Sequence, residues 1–78
     1  MIKELTGVML KVNLPRVGLK RDDVGTVVLV HGAGKGYEVE FVTLDGETLA
    51  VVSLAPEQIR AIGRREIAHA RTVSAQAL

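Results

Sequence analysis

The stretch over residues 23–54, DVGTVVLVHGAGKGYEVEFVTLDGETLAVVSL, leaves this chain few folds to choose from. Three runs rich in Val, Leu and Thr are separated by two turn signals, Gly32-Ala33-Gly34-Lys35-Gly36 and Asp45-Gly46. β-Branched side chains fit a pleated, half-buried surface, and Asp-Gly supplies the positive φ that a tight hairpin needs. The pattern predicts a three-stranded antiparallel meander. Turn geometry then sets the registers. A two-residue turn at Asp45-Gly46 pairs Leu44 with Glu47, Phe41 with Ala50, Val39 with Val52 and Tyr37 with Leu54. Centring the first hairpin between Ala33 and Gly34 pairs Val30 with Tyr37, Val28 with Val39 and Thr26 with Phe41. Both registers agree on one inner face: Thr26, Val28, Val30, Tyr37, Val39, Phe41, Ala50, Val52 and Leu54. A slip of one residue would turn every side chain over, so the agreement is a consistency check.

Upstream, Val8, Leu10, Val12 and Leu14 alternate with Met9, Lys11 and Asn13, a period of two that Pro15 stops. Residues 15–23 then read as a surface loop pinned by Leu19. Downstream, Ala55-Pro56-Glu57-Gln58 reads as one 3₁₀ turn, and residues 59–62 as a short closing strand. Strand, loop, meander, one-turn helix and strand is the element order of SH3-like barrels. The expected fold is therefore mainly β, a small SH3-like antiparallel β-barrel over residues 1–62 with a C-terminal tail segment over residues 63–78. In that tail Ile67, His69, Arg71 and Val73 alternate as in a strand, while Ile67, Ala70 and Val73 or Ser74 share a helical face. The expectation is an extended segment docking on the barrel, on a second copy or on a partner, with residues 74–78 frayed.

Seventy-eight residues make one domain near the lower limit for folding alone. A chain of this size buries roughly 60–65% of the surface that its unfolded form exposes. It has no cysteine, hence no disulfide and no thiolate metal site, which suits the cytoplasm. No segment approaches the roughly 18 apolar residues of a membrane span, so a soluble cytoplasmic protein is expected. The net charge of +1 is unevenly spread. Residues 1–35 carry +3, residues 36–58 carry −5 with no Lys or Arg, and residues 59–78 carry +3. A nucleic-acid binder concentrates positive charge on its recognition element, whereas here the central sheet is acidic.

The registers also define an outer face that is too apolar for a solvated one: Val27, Leu29, Val42, Leu49 and Val51 around Glu38 and Glu40. The basic tail, with Arg64, Arg65, Ile67, His69 and Arg71, from the same molecule or another, or else a basic partner, is the complementary surface to cover it. These residues, Leu29 apart, are the candidate partner-binding site.

Catalytic and cofactor chemistry finds little support. Gly32-Ala33-Gly34-Lys35-Gly36 joins two strands and lacks the Ser or Thr and the helix of a phosphate-binding loop. His31 and His69 have no metal-ligand spacing and no cysteine to join them. Asp22 and Asp23, adjacent at a strand start, point apart and fit a turn. One Tyr and one Phe make no stacking platform for single-stranded nucleic acid. No catalytic residue, cofactor or metal is expected.

Leu19-Lys20-Arg21-Asp22-Asp23-Val24-Gly25-Thr26-Val27-Val28, Tyr37-Glu38-Val39-Glu40-Phe41 and Asp45-Gly46 with the apolar run to Leu54 together resemble the domain of unknown function 4926 family of short bacterial proteins. Leu14-Pro15, Gly18-Leu19 and the tail residues 66–71 are also similar to its pattern. The resemblance implies an SH3-like barrel and no established activity. Family members lie beside other small proteins, some toxin-like, which implies an antitoxin- or immunity-like or accessory role. The expected function is thus a non-catalytic protein-interaction module that acts by surface occlusion on an operon neighbour, with a homodimer through sheet face or tail until that partner arrives. The alternative is a small barrel that binds RNA or DNA through its Arg16, Lys20 and Arg21 loop, its tail and Lys35.

Overall fold

A computed structural model describes residues 1–73; the expectation for residues 74–78 lies outside them. The protein is mainly β, with five antiparallel strands: β1 (Gly7–Leu10), β2 (Val24–His31), β3 (Gly36–Val42), β4 (Thr48–Leu54) and β5 (Ile59–Ala61). They form one sheet in the order β4-β3-β2-β1-β5. Among the described residues there is no α-helix, only 3₁₀ turns at Pro15–Val17 and Pro56–Gln58, and no helix long and apolar enough to cross a membrane.

The sheet is curled but not closed. Laid flat, edges four strand spacings apart would stand about 19 Å from each other. The link from Leu54 at the end of β4 to Ile59 at the start of β5 includes a 3₁₀ turn and reaches only roughly 13 Å. The sheet must bend for both edges to meet it. Bending brings Val8, Leu10, Val27, Tyr37, Val39, Phe41, Leu54 and Ile59, drawn from all five strands, into a single buried cluster with Leu19. No hydrogen-bonded ladder joins β4 to β5, so the structure is an open sheet around one core.

Leu19 pins its loop as expected, 3% exposed and bridged to Leu14. The first strand is shorter than its alternation predicts. It ends at Leu10, because Val12 and Leu14 turn into the loop that carries the Pro15 3₁₀ turn. Both hairpins also depart from ideal geometry, with different consequences.

In the second hairpin the loop holds three residues, not two. Thr43 N–H donates to Glu47 O at 2.8 Å, and Gly46 takes φ 95°. A bulge at Leu49 then absorbs the extra residue, so Phe41 still faces Ala50, Val39 faces Val52 and Tyr37 faces Leu54. Two deviations cancel, and the predicted register survives.

In the first hairpin nothing cancels. Val30 faces Tyr37 as expected, but Val28 is bulged out, and beyond it Val27, not Val28, faces Val39. The faces of β2 therefore exchange. Val27 is fully buried in the core and Val28 is 38% exposed. Val27 is not part of an outer docking face, and Thr26 and Val28 are not core residues. The cause is local: an extra residue in one strand rotates everything beyond it by half a pleat.

Candidate functional site

Two surfaces gather the residues singled out by the sequence. The first is the outer face of β2, β3 and β4. Leu29 and Val51 are 45% and 55% exposed there. Its two acids already have partners. Ser53 Oγ donates to Glu38 Oε2 at 2.5 Å, and His31 Nε2 lies 2.7 Å from the same oxygen. Thr48 Oγ1 donates to Glu40 Oε2 at 3.0 Å. The Ser53 hydrogen bond, reinforced by His31, holds the Glu38 carboxyl below its ordinary value. These pairs run across neighbouring strands and stitch β4 and the end of β2 to β3. Serine and histidine meet the same carboxylate oxygen, and no hydrogen bond joins the two to each other among the described residues.

Among the described residues, the basic tail does not cover this face. Residues 63–73 instead form an extended strap pinned at both ends elsewhere. At its start Arg60 donates from Nη1 and Nη2 to the two oxygens of Glu66, at 2.8 and 2.7 Å, and the Gly63 backbone N–H adds a hydrogen bond to Glu66 Oε1. At its far end Arg71 Nε donates to Asp23 Oδ1 at 2.8 Å, and Arg71 Nη2 donates to Asp23 Oδ2 and, at 3.1 Å, to the Gly18 carbonyl. Asp23 also accepts from the Lys20 N–H at 2.7 Å, so the turn role read for it holds and a second role is added. Arg64 and Arg65 are exposed, and among the described residues neither is in an ion pair.

Between the strap and the β3–β4 hairpin lies the second surface, a groove. Its floor is apolar, with Met9, Leu19, Val24 and Phe41, and its hairpin wall carries Val42, Leu44 and Leu49 with Asp45 and Glu47. The opposite wall is the strap itself, Ile67 to Val73. Leu44 and Ile67 stand on the two walls 91% and 85% exposed. The groove has a volume of about 1510 Å³. Among the described residues, no group of three or more His, Cys, Asp or Glu side chains converges as a metal site would require.

The structure thus brings Val42, Leu49, Ile67, His69 and Arg71 to one groove. It leaves Glu38, Glu40 and Val51 on the sheet's outer face, and Val27 in the core. Sequence reasoning missed Leu44, Asp23 and the Arg60–Glu66 clasp. The exposed Leu44 beside Asp45-Gly46 was a readable signal, since a large apolar residue at a hairpin tip has no core to enter. Asp23 and Arg71 are 48 positions apart, and no local pattern announces such a pair. Lys35 lies in the loop after β2, at the other end of that eight-residue strand from Lys20 and Arg21, so these cations form no continuous patch.

The family model described as Domain of unknown function (DUF4926) matches residues 4–61, which is 58 of the 78 residues. The chain belongs to this family. The matched part runs from the lead into β1 to the end of β5, and the strap lies beyond it. No curated protein and no solved structure compared with the chain matches it.

Both clasps respond to acid. Burial pushes the Asp23 carboxyl up, but the Arg71 and Lys20 hydrogen bonds outweigh it and hold the group below its ordinary 3.8. Glu66 is lowered from 4.5 to about 2, chiefly by Arg60 and then by the Gly63 N–H. Carboxyls depressed in the folded state stabilise the clasps fully above the unfolded values and lose that contribution as the pH falls through the folded ones. The Arg60 clasp should therefore hold through neutral pH and be lost between about pH 4.5 and 2, while the Arg71 clasp loosens as the pH falls below 3.8. In NMR spectra the Ile67 methyl signals should move toward random-coil positions over that window while those of Val39 hold. Arg71→Ala should release the far end at pH 7.

Proposed function

We propose that this protein is a non-catalytic protein-interaction module of the SH3-like barrel type. Its groove takes an apolar segment of a partner protein and hides it from solvent. One observation carries the reading: a strap hydrogen-bonded at its two ends stands opposite a hairpin, with an apolar floor open between them and Leu44 and Ile67 exposed on the walls. Isolated exposed apolar residues are ordinary, but a continuous apolar groove with a polar rim is a feature of interaction sites. The lining carries both signs, Asp45 and Glu47 together with Arg21 and Arg71, so a segment with mixed flanking charge fits. The family resemblance adds the context of an antitoxin-like, immunity-like or accessory protein acting in the cytoplasm on the product of a neighbouring gene, by occlusion.

The test is co-expression with the flanking genes, followed by affinity purification of the intact chain and mass spectrometry. A partner retained by the parent protein and lost with both Leu44→Asp and Ile67→Asp supports the module. A partner retained equally by all three ends it. Binding to mixed nucleic acid that weakens steeply with added salt would instead move the protein to the nucleic-acid class.

A further inference from the structure

The two edges of the sheet are protected differently. An edge strand presents a row of unpaired N–H and C=O groups, and natural sheets blunt it by shortness, charge, proline or a bulge. β5 conforms, being three residues long with Arg60 at its centre. β4 does not. It runs for seven residues, Thr48-Leu49-Ala50-Val51-Val52-Ser53-Leu54, without a charge or a proline. It is hydrogen-bonded to β3 on one side and is the last strand on the other. Its one bulge sits at Leu49, near the start, leaving the stretch from Ala50 to Leu54 regular.

We infer that β4 pairs antiparallel with β4 of a second copy of this chain, across a two-fold axis at Val51, joining two five-stranded sheets into one. Directly opposed residues of an antiparallel pair lie on the same face. An axis at Val51 therefore sets Val51 against its symmetry mate, Ala50 against Val52, and Leu49 against Ser53. Every such pair is apolar or small, and no charge meets a like charge across the seam. The nearest acids, Glu38 and Glu40, sit one strand back and are engaged within their own copy by Ser53, His31 and Thr48. Glu40 and its mate stand three strand spacings apart, roughly 14 Å, which is beyond the Debye length of about 8 Å at physiological salt. A second copy supplies the same uncharged strand in the same register, so the seam is self-complementary, as a two-fold interface must be. The seam also covers Val51, which is 55% exposed in a single copy.

The Val51 axis lies outside the groove, and Leu49 is the one residue the seam and the groove share. Sedimentation velocity of the full chain over a range of concentrations should show a reversible dimer. Val51→Lys and Val51→Glu place like charges opposite each other at the axis, and each should weaken the dimer at least tenfold while the far-UV spectrum is kept. Mixing the two variants should restore a heterodimer, a result that only Val51 facing Val51 produces. Ile67→Lys, in the strap, should leave the dimer intact. If either Val51 variant loses its β spectrum, Ser53→Lys, on an exposed residue that flanks Glu38, is read in its place. A monomer at all concentrations, a dimer indifferent to these changes, a mixture of Val51 variants that stays monomeric, or a dimer lost with Ile67→Lys would each overturn the inference.

Discussion

Val27→Lys is expected to unfold the protein, and Val28→Lys to leave it folded. The two valines are chain neighbours of identical chemistry, and only the bulge at Val28 distinguishes them. Val27 is fully buried and faces Val39, whereas Val28 is 38% exposed. A lysine at position 27 would place an ammonium in the core among Val8, Val39 and Phe41 with no acid to pair it, a cost of several kcal/mol. A domain of this size has only about 5 kcal/mol or so to lose. The milder series gives a graded reading. Val27→Ala removes two methyl groups and leaves a cavity, costing about 2–3 kcal/mol, while Val28→Ala stays within about 0.5 kcal/mol. Denaturant midpoints at constant m-value would check both. The regular register expected from the sequence demands the opposite ranking, so the experiment decides between a bulged and an unbulged β2.

Gly25→Ala should be the most damaging substitution of a glycine. A Cβ built there would lie 2.7 Å from Val39 Cγ1, 2.9 Å from the Glu40 carbonyl oxygen and 2.9 Å from Phe41 Cε1. The valine and phenylalanine could shift, but the carbonyl belongs to the ladder between β2 and β3 and cannot yield without breaking pairing. Overpacking of this kind costs about 1–3 kcal/mol, against a gain of about 0.4–1 kcal/mol from a less flexible unfolded chain. Gly46 is the contrast. Nothing lies within 4 Å of a Cβ there, but its φ of 95° disfavours side chains. Asparagine, which tolerates positive φ, should be accepted at 46 better than alanine and rejected at 25 more strongly than alanine. If chemical denaturation ranks the four variants otherwise, the close approach at Gly25 is not what holds that residue small.

Much of the architecture was legible because it follows from period and turn chemistry. The alternation of Tyr37, Val39 and Phe41 with Glu38 and Glu40 survives intact in β3, and the Asp45-Gly46 signal located its hairpin. The limits come from effects that leave no mark on local pattern. Val27, Val28, Leu29 and Val30 are all apolar, so the run cannot say which residue is bulged, and the inner face of β2 was misassigned by one step. The second hairpin was read correctly for an incomplete reason, since its longer loop and the Leu49 bulge offset each other. For the candidate site, charge complementarity set the basic tail against Glu38 and Glu40, whereas in a single copy Arg71 pairs with Asp23 and Arg60 with Glu66. Glu38 and Glu40 looked free in the sequence, yet short hydroxyl side chains on β4 reach them across the strand. Asp23, read as a turn residue, was left open to Arg71.

The bulge at Val28 also bears on how the molecule comes apart. Before it, β2 pairs with both β1 and β3; after it, residues 29–31 pair with β3 alone. One strand thus pairs on both sides along its first half and on one side along its second, and Val27 sits where the pairing changes. Neither half of the sheet can open while leaving the other's core dry. A chain built this way has no subdomain to shed, so the loss of any strand other than the short β5 should carry the whole sheet with it.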